Sequence, residues 1–575
     1  MGATIPISRS PGSQLQRPSA QQNPREPADT DLWIFRAGEK TVSGQAMLRE
    51  LSQAIRASCD HPEGLVDALI QAGQLEAAMA DAGLNGAEAA AALTDSLALA
   101  VTGQPGADNW LELVGRVTVP DSLRLSPPEG FTYYALHPLD FGFIAARVPE
   151  EPKACALLGI RSIGTTLSAM TMAGLKAQGR KVSRITLRPS GHPYCRKMEF
   201  TPSQLGWIQR QMSECAQFLI VDEGPGRSGS TFLSVAEALV AAGVARAAIT
   251  MLGSRATDPQ SLCAEDAPAR WKRFRFLSTV PSVSTRFAGC IYIGGGAWRK
   301  IFFADAGHWP ESWTEMERLK FLSPDQRTFF KFEGMGQVGC EFRERALLLD
   351  RAGFSPPVSD AGGGFLAYMR LKGRQLTPSD LDPAVLEHLA RYCAFRASAF
   401  PSPESSSGSL RQMVEFNVLR EFGVELTLAD DELAARCPVI TDGRMQPYEW
   451  IASGPEDIQK TDAASHGDDH FFPGPCHIAW DLAGAAIEWQ LGHDALEFMI
   501  DRFRQLSGMD VSRQIELYML AYAVFRLGFA KMAIPKVAGS PEESRLRAAY
   551  GHYRVEAGRR LEKLLPKVHF TGVVP

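Results

Sequence analysis

The chain has 575 residues, of which 45% are apolar and 22% charged, a globular composition long enough for more than one domain. Its net charge of −5 excludes nucleic-acid binding through bulk positive charge, so no nucleic-acid partner is expected. Ten scattered cysteines, with no C-x-x-C pair, exclude a disulfide framework and a structural zinc site and fit reduced thiols in a cytoplasmic setting.

Residues 1–31 are rich in Pro, Ser, Gln and Arg and read as a disordered tail without the apolar centre of a signal peptide. No apolar run approaches the roughly 18 residues that span a bilayer, so no membrane partner is expected. Residues 32–116 read as a helical N-terminal region. Met47, Leu48, Leu51 and Ile55, then Leu65, Leu69 and Ile70, recur at helical spacing, and an Ala-rich run from Ala87 to Ala100 continues it. From about Val117 the period changes. Strands are expected over Gly130–Leu136, Ala154–Ile160, Val182–Arg188, Phe218–Val221 and Ala247–Gly253, with helices over Leu167–Gly179, Gln204–Ala216 and Phe232–Ala242. This alternation predicts an α/β unit, a doubly wound parallel sheet, over residues 117–299. Gly294, Gly295 and Gly296 read as a tight turn near its end.

The chemistry of that unit gathers after Phe218–Val221. Two acids, Asp222 and Glu223, follow the strand at once, then the loop Gly224-Pro-Gly-Arg-Ser-Gly-Ser, with Thr231 opening a helix. A strand, a Gly-rich loop and a helix N-terminus make an anion site, because free N–H groups and the helix dipole point the same way. The segment resembles the PRPP-binding motif of type I phosphoribosyltransferases, with a loop one residue longer that carries Pro225 and Arg227. The resemblance implies PRPP contacts from Asp222, Glu223, Gly226, Ser228, Gly229, Ser230 and Thr231, with Asp222 also holding Mg2+. Gly159-Ile-Arg-Ser-Ile-Gly-Thr-Thr resembles the same family's diphosphate loop, which implies a PRPP contact from Arg161. His192, Arg196 and Lys197 fall where the family has a flexible catalytic loop, and His192 and Lys197 are the implied catalytic pair. A solvated basic hairpin is the other reading of that loop.

Residues 300–575 carry a second pattern. Glu317–Leu322 and Arg327–Glu333 read as a hairpin, Cys340–Ala352 as a helix, Phe365–Leu371 as a strand and Ser379–Phe422 as helical. Gln505–Lys531 reads as an amphipathic helix. The series resembles an aminoglycoside-phosphotransferase or protein-kinase-like α+β two-lobe domain. That resemblance implies ATP contacts from Lys331, oriented by Glu344. It further implies Asp442 as catalytic base, Asp462 and Glu449 as Mg2+ ligands, and Asp481 as the brace of the catalytic loop. A second register remains open, in which His466-Gly-Asp makes Asp468 the base and Asp481 the metal ligand. Lys331 as a strand lysine with no ligand, and the acids as a solvated face, are the plainer alternatives.

Together these features point to a bifunctional cytoplasmic transferase with small-molecule substrates, using Mg2+, PRPP and ATP, with a homodimer through the phosphoribosyltransferase-like unit as a further expectation. The alternative is a nucleotide-sensing regulatory protein in which one or both modules bind without catalysis.

Overall fold

The computed structural model describes residues 40–565 apart from 59–61, 107–108, 455–456 and 469–470, so the reading of residues 1–31 lies outside the described residues. The chain is a mixed α/β protein. A short ribbon opens it, β1 (Lys40–Ser43) pairing antiparallel with β2 (Ser122–Leu125). Between them lie the helices Gly44–Ala57, Pro62–Asp81 and Ala87–Val101, as the apolar spacing predicts.

The central sheet is wholly parallel, in the order β4-β3-β5-β6-β7, from β3 (Ala154–Ile160), β4 (Lys181–Leu187), β5 (Gln217–Val221), β6 (Ile249–Gly253) and β7 (Arg275–Ser278). Its inner strands β3, β5 and β6 are buried and largely apolar because both faces are covered, whereas the edge strands β4 and β7 carry polar and charged residues. Cys155, Leu157, Leu219 and Val221 join one core with the helix Ile163–Ala177 and the N-terminal helices. Ala156, Leu158, Phe218 and Ile220, one residue out of step, join another with the helices Pro202–Ser213 and Ser230–Ala241. The doubly wound sheet is therefore present. One expected strand is not: Glu129–Thr132 is a helical turn, and Phe131 is fully buried beneath it. The aromatic run 131–134 has strand composition, but packing, not propensity, sets its conformation.

A second sheet of five strands in four antiparallel pairs runs in the order β11-β12-β10-β9-β8. It comprises β8 (Ile291–Tyr292), β9 (Lys320–Leu322), β10 (Thr328–Phe332), β11 (Val358–Gly362) and β12 (Phe365–Met369). β8, read from sequence with the first unit, pairs with β9 of the second. The helix Gly336–Arg351 packs beside this sheet. Phe332, Met335 and Phe365 enter the core that also holds the N-terminal helices, so the two halves share apolar packing. Polar contacts reinforce it: Asp67 accepts from the Gly336 amide at 2.6 Å, and Phe131 O from the Met335 amide at 3.0 Å.

The remainder is helical, around a small sheet of β13 (Arg374–Gln375), β14 (Trp450–Ala452) and β15 (Ile458–Lys460). The helix Ile515–Ala533 is buried on nearly every side rather than amphipathic. By length and composition the stretch Ile515–Lys536 could cross a membrane, but 89% of its apolar window lies inside the protein, where it serves as the core helix of this half.

Candidate functional site

Two clusters of ionisable side chains stand out, one at the carboxyl edge of the parallel sheet and one between the antiparallel sheet and the helical half.

At the sheet edge, β5 ends at Val221 and delivers Asp222 and Glu223 to the crevice outside the strand ends, where open α/β sheets place their ligands. The first turn of helix Ile163–Ala177 comes close, since a Cβ on Gly164 would lie 3.5 Å from Asp222 Oδ1. The loop turns through Gly226 and Gly229, both left-handed at φ 58° and 72°, before Ser230 starts the next helix. Among the described residues no cation forms an ion pair with Asp222 or Glu223. Burial therefore dominates: the Asp222 carboxyl is pushed up to about 8, with the Glu223 charge adding to the shift. Glu223 is pushed up to about 7, chiefly by burial and against the pull of Arg255.

The other predicted residues of this edge are placed differently from expectation. Ser228 and Ser230 turn their hydroxyls to the Pro193 carbonyl, at 2.9 and 2.6 Å, instead of into the crevice. The basic segment is thereby held over the loop, and a bridge between Ser190 and Lys197, with both amide–carbonyl distances 2.8 Å, closes it into a hairpin. His192 stacks on Tyr194 within this hairpin, Lys197 is exposed, and Thr231 is half-buried. Arg161 is not directed at the loop; its Nη1 donates to Asp81 of the helix Pro62–Asp81 at 2.9 Å. Arg188, at the end of β4, donates to the same carboxylate.

In the second cluster Lys331 of β10 reaches across to Asp462, just past β15, and also pairs with Glu333 at 2.9 Å. Lys320 of β9 pairs with the same Asp462 at 3.3 Å, and His466 lies 3.4 Å from it. Burial disfavours the Asp462 charge, but His466, Lys331 and Lys320 outweigh it and hold the carboxyl well below its usual range. The expected orienting residue Glu344 does not meet Lys331: it is exposed, and Glu333, two residues along the strand, does that work. Helix geometry explains the miss, because Arg345 and not Glu344 faces inward, donating to Ala464 O at 2.6 Å.

Asp442 is brought to this cluster but is fully enclosed. Tyr392 and Lys460 donate to its carboxylate, and Arg396 lies 3.8 Å away. With no open face, it is ill-suited as the base expected from sequence. Asp481 accepts from the amides of Asp442 and Gly443 at 2.8 and 3.2 Å, so it braces this loop, as expected of it. Fully buried, it is remote from any metal role. The side chain of Asp468 lies outside the described residues, so the second register has only Asp481 to test it. Glu449, expected on a metal, instead accepts from Lys460 at 2.6 Å. Asp442, Glu449 and His466 have ligand atoms within 4.8 Å of one another, spacing that a cation could use. Lys460 Nζ already bonds two of the three acceptors and Asp462 O at 2.8 Å, so an ammonium stands where that cation would be.

Sequence reasoning missed Lys460, Arg396, Tyr392, Lys320, Glu333, Arg188, Asp81 and Arg444, and only for the last was there a signal. In the kinase catalytic loop the base precedes the metal-binding Asn by five residues. Five before Glu449 is Arg444, whose guanidinium lies 4.9 Å over the Phe529 ring.

A scan of protein-family profiles finds no match, and a search of curated proteins finds none either. Solved structures do resemble part of the chain. A choline/ethanolamine kinase family protein from Mesorhizobium loti is 12% identical over 43% of this chain and 89% of its own, with a TM-score of 0.30. A choline kinase from Cryptosporidium parvum is 11% identical over 44% and 88%, at 0.31. A macrolide 2'-phosphotransferase from Brachybacterium faecium is 15% identical over 45% and 96%, at 0.28. Likeness at TM-scores near 0.3 adds nothing to the geometry described above.

Proposed function

We propose that the chain is a transferase of the phosphoribosyl type, with its chemistry at the carboxyl edge of the parallel sheet and a kinase-like nucleotide-binding module in its second half. The observation that carries this reading is a contrast between two pairs of acids. Asp462 and Glu449 are already matched by lysines, whereas Asp222 and Glu223 lie side by side at a strand end with no paired cation among the described residues. The unmatched pair is the one suited to a metal-bound sugar diphosphate, and its raised carboxyl pKa values support the same choice. Mg2+ bound there would neutralise the diphosphate. Asp222 and Glu223 would hold the metal and the ribose hydroxyls, the left-handed glycine loop and the start of helix Ser230–Ala241 would face the 5'-phosphate, and the 189–197 hairpin would cover the crevice. As an acceptor nucleophile bonds C1, the C1–O bond breaks and diphosphate leaves with both electrons.

Manganese titration followed by electron paramagnetic resonance tests this. PRPP should create a tight Mn2+ site in the wild type that the D222N/E223Q variant lacks. A PRPP-dependent site that survives the double change would refute the assignment.

For the kinase-like half a second reading has its own support. Lys331 and Lys320 converge on one carboxylate at a cleft, which suits nucleotide phosphate. Arg444 at the base position and Lys460 at the cation position favour binding without phosphoryl transfer.

A further inference from the structure

The helix Pro62–Asp81 ends in a carboxylate, the unfavourable sign at a helix C-terminus, and carries no basic residue in its last turn. What holds Asp81 is a pair of guanidiniums from the parallel sheet. Arg161 Nη1 donates to Oδ1 at 2.9 Å, and Arg188 Nε lies 3.2 and 3.1 Å from Oδ1 and Oδ2. Two cations on one anion leave a net positive charge. Both arginines sit at carboxyl ends of neighbouring strands, β3 and β4, beside the acid pair at the end of β5.

Ser162, between Arg161 and the helix Ile163–Ala177, holds φ at 92°, a strained value for a residue with a side chain. Among the described residues Arg161 Nε and the fully buried Thr165 Oγ1 have no hydrogen-bond partner. The cavity bounded by Asp81, Arg124, Ser162 and Arg188 is only about 10 Å³, no more than a single water needs. A phosphate group can enter only if something leaves. One turn earlier the same helix is fixed independently. Glu76 takes two 2.9 Å bonds from Arg184 of β4, a buried side chain that also pairs with Asp95. Asp81 can therefore release while the helical layer stays docked.

We propose that the Asp81 carboxylate is a displaceable internal occupant of the diphosphate subsite, with Arg188 as the second cation of that subsite beside Arg161. This rests on the reading of the sheet edge as a PRPP-type site. Ligand diphosphate takes the place of Asp81 on the two guanidiniums, and the last turn of the Pro62–Asp81 helix is freed as it binds.

Calorimetric titration of the full chain with magnesium pyrophosphate tests this. D81N removes the competitor and should tighten pyrophosphate about tenfold, and R188Q, with a charge-assisted contact gone, should weaken it about tenfold. Unchanged or weaker binding by D81N overturns the proposal, as does a wild type and D81N that both ignore pyrophosphate. Hydrogen exchange on the wild type needs no variant: saturating pyrophosphate should speed exchange of amides near residues 78–82, and unaltered or slower exchange there overturns the proposal as well. The underlying reading fails separately. If D222N/E223Q binds magnesium PRPP as the wild type does, the site assignment falls; if only the D81N and exchange results fail, Asp81 is a structural residue and the site stands.

Discussion

Lys460 donates to Glu449 at 2.6 Å from a point where it also meets Asp442 at 3.1 Å, all three side chains being buried. A lysine ammonium thus balances two carboxylates that a kinase-like reading would give to a metal and to a base. Asp222 and Glu223, in the other half, have no such partner among the described residues.

Removing the Lys460 charge takes from buried Glu449 its paired cation and leaves Asp442 with Arg396, 3.8 Å away, in place of its closest one. K460M should destabilise the chain by about 3–5 kcal/mol, the usual cost of breaking a buried pair from one side. Chemical denaturation followed by tryptophan fluorescence reads this. A loss below about 1 kcal/mol would mean that water or another cation reaches the carboxylates.

With the cation built in, the nucleotide binding proposed for the second half should not need magnesium. ADP and ATP should raise the melting temperature of the full chain as much in EDTA as in magnesium, since a ligand of the folded state stabilises by mass action. K331M should abolish the shift. Stabilisation that appears only with magnesium would return Asp462 or Glu449 to a metal-binding role.

Ser228 and Ser230 fasten the 189–197 hairpin through one carbonyl, that of Pro193. Changing both to Ala removes two hydrogen bonds worth about 0.5–1.5 kcal/mol each. Amides around Lys197 should then exchange several-fold faster, with the core strand β5 unaffected. Equal protection in the variant would show that other contacts hold the hairpin.

The pH behaviour of Asp222 follows from its direction of shift. Its folded-state carboxyl is raised to about 8, so its contribution to stability is complete below the ordinary carboxylate range and is lost as pH rises through 8. D222N keeps an acceptor for the Glu223 amide and never ionises. Without ligand it should melt about 2 °C or more above the wild type at pH 8.5, and close to it at pH 5. Magnesium PRPP needs the ionised acids, so wild-type affinity should rise between pH 6 and 8.5. A D222N variant no more stable than the wild type at pH 8.5 would contradict the unpaired state of this acid.

Much of the frame is legible in the chain. The continuous apolar runs at Ala154–Ile160 and Phe218–Val221 are buried parallel strands, and the acids after the second lie at its carboxyl end. The helix spacing through Leu65, Leu69 and Ile70 likewise gives a true helix. What does not show is long-range pairing. Nothing near Asp81 in sequence marks it as the partner of Arg161 and Arg188, 80 and 107 residues away. Lys460 lies in a strand whose alternation is ordinary, and only the fold turns its ammonium toward Glu449. Arg444 is different, since counting five back from Glu449 finds it, while the acid two residues earlier draws the eye. The strand expected at Gly130–Leu136 fails for a third reason: Phe131 is buried in the core with the N-terminal helices, and that packing overrides local preference.

The central claim places the sugar-diphosphate site at Asp222 and Glu223, and calorimetric titration with magnesium PRPP at pH 8 measures it most directly. The wild type should bind, and D222N/E223Q, shown folded by its circular dichroism, should bind at least a hundredfold more weakly, because two charge-assisted contacts are gone. Equal affinity in the two proteins, or no binding by the wild type, would contradict it.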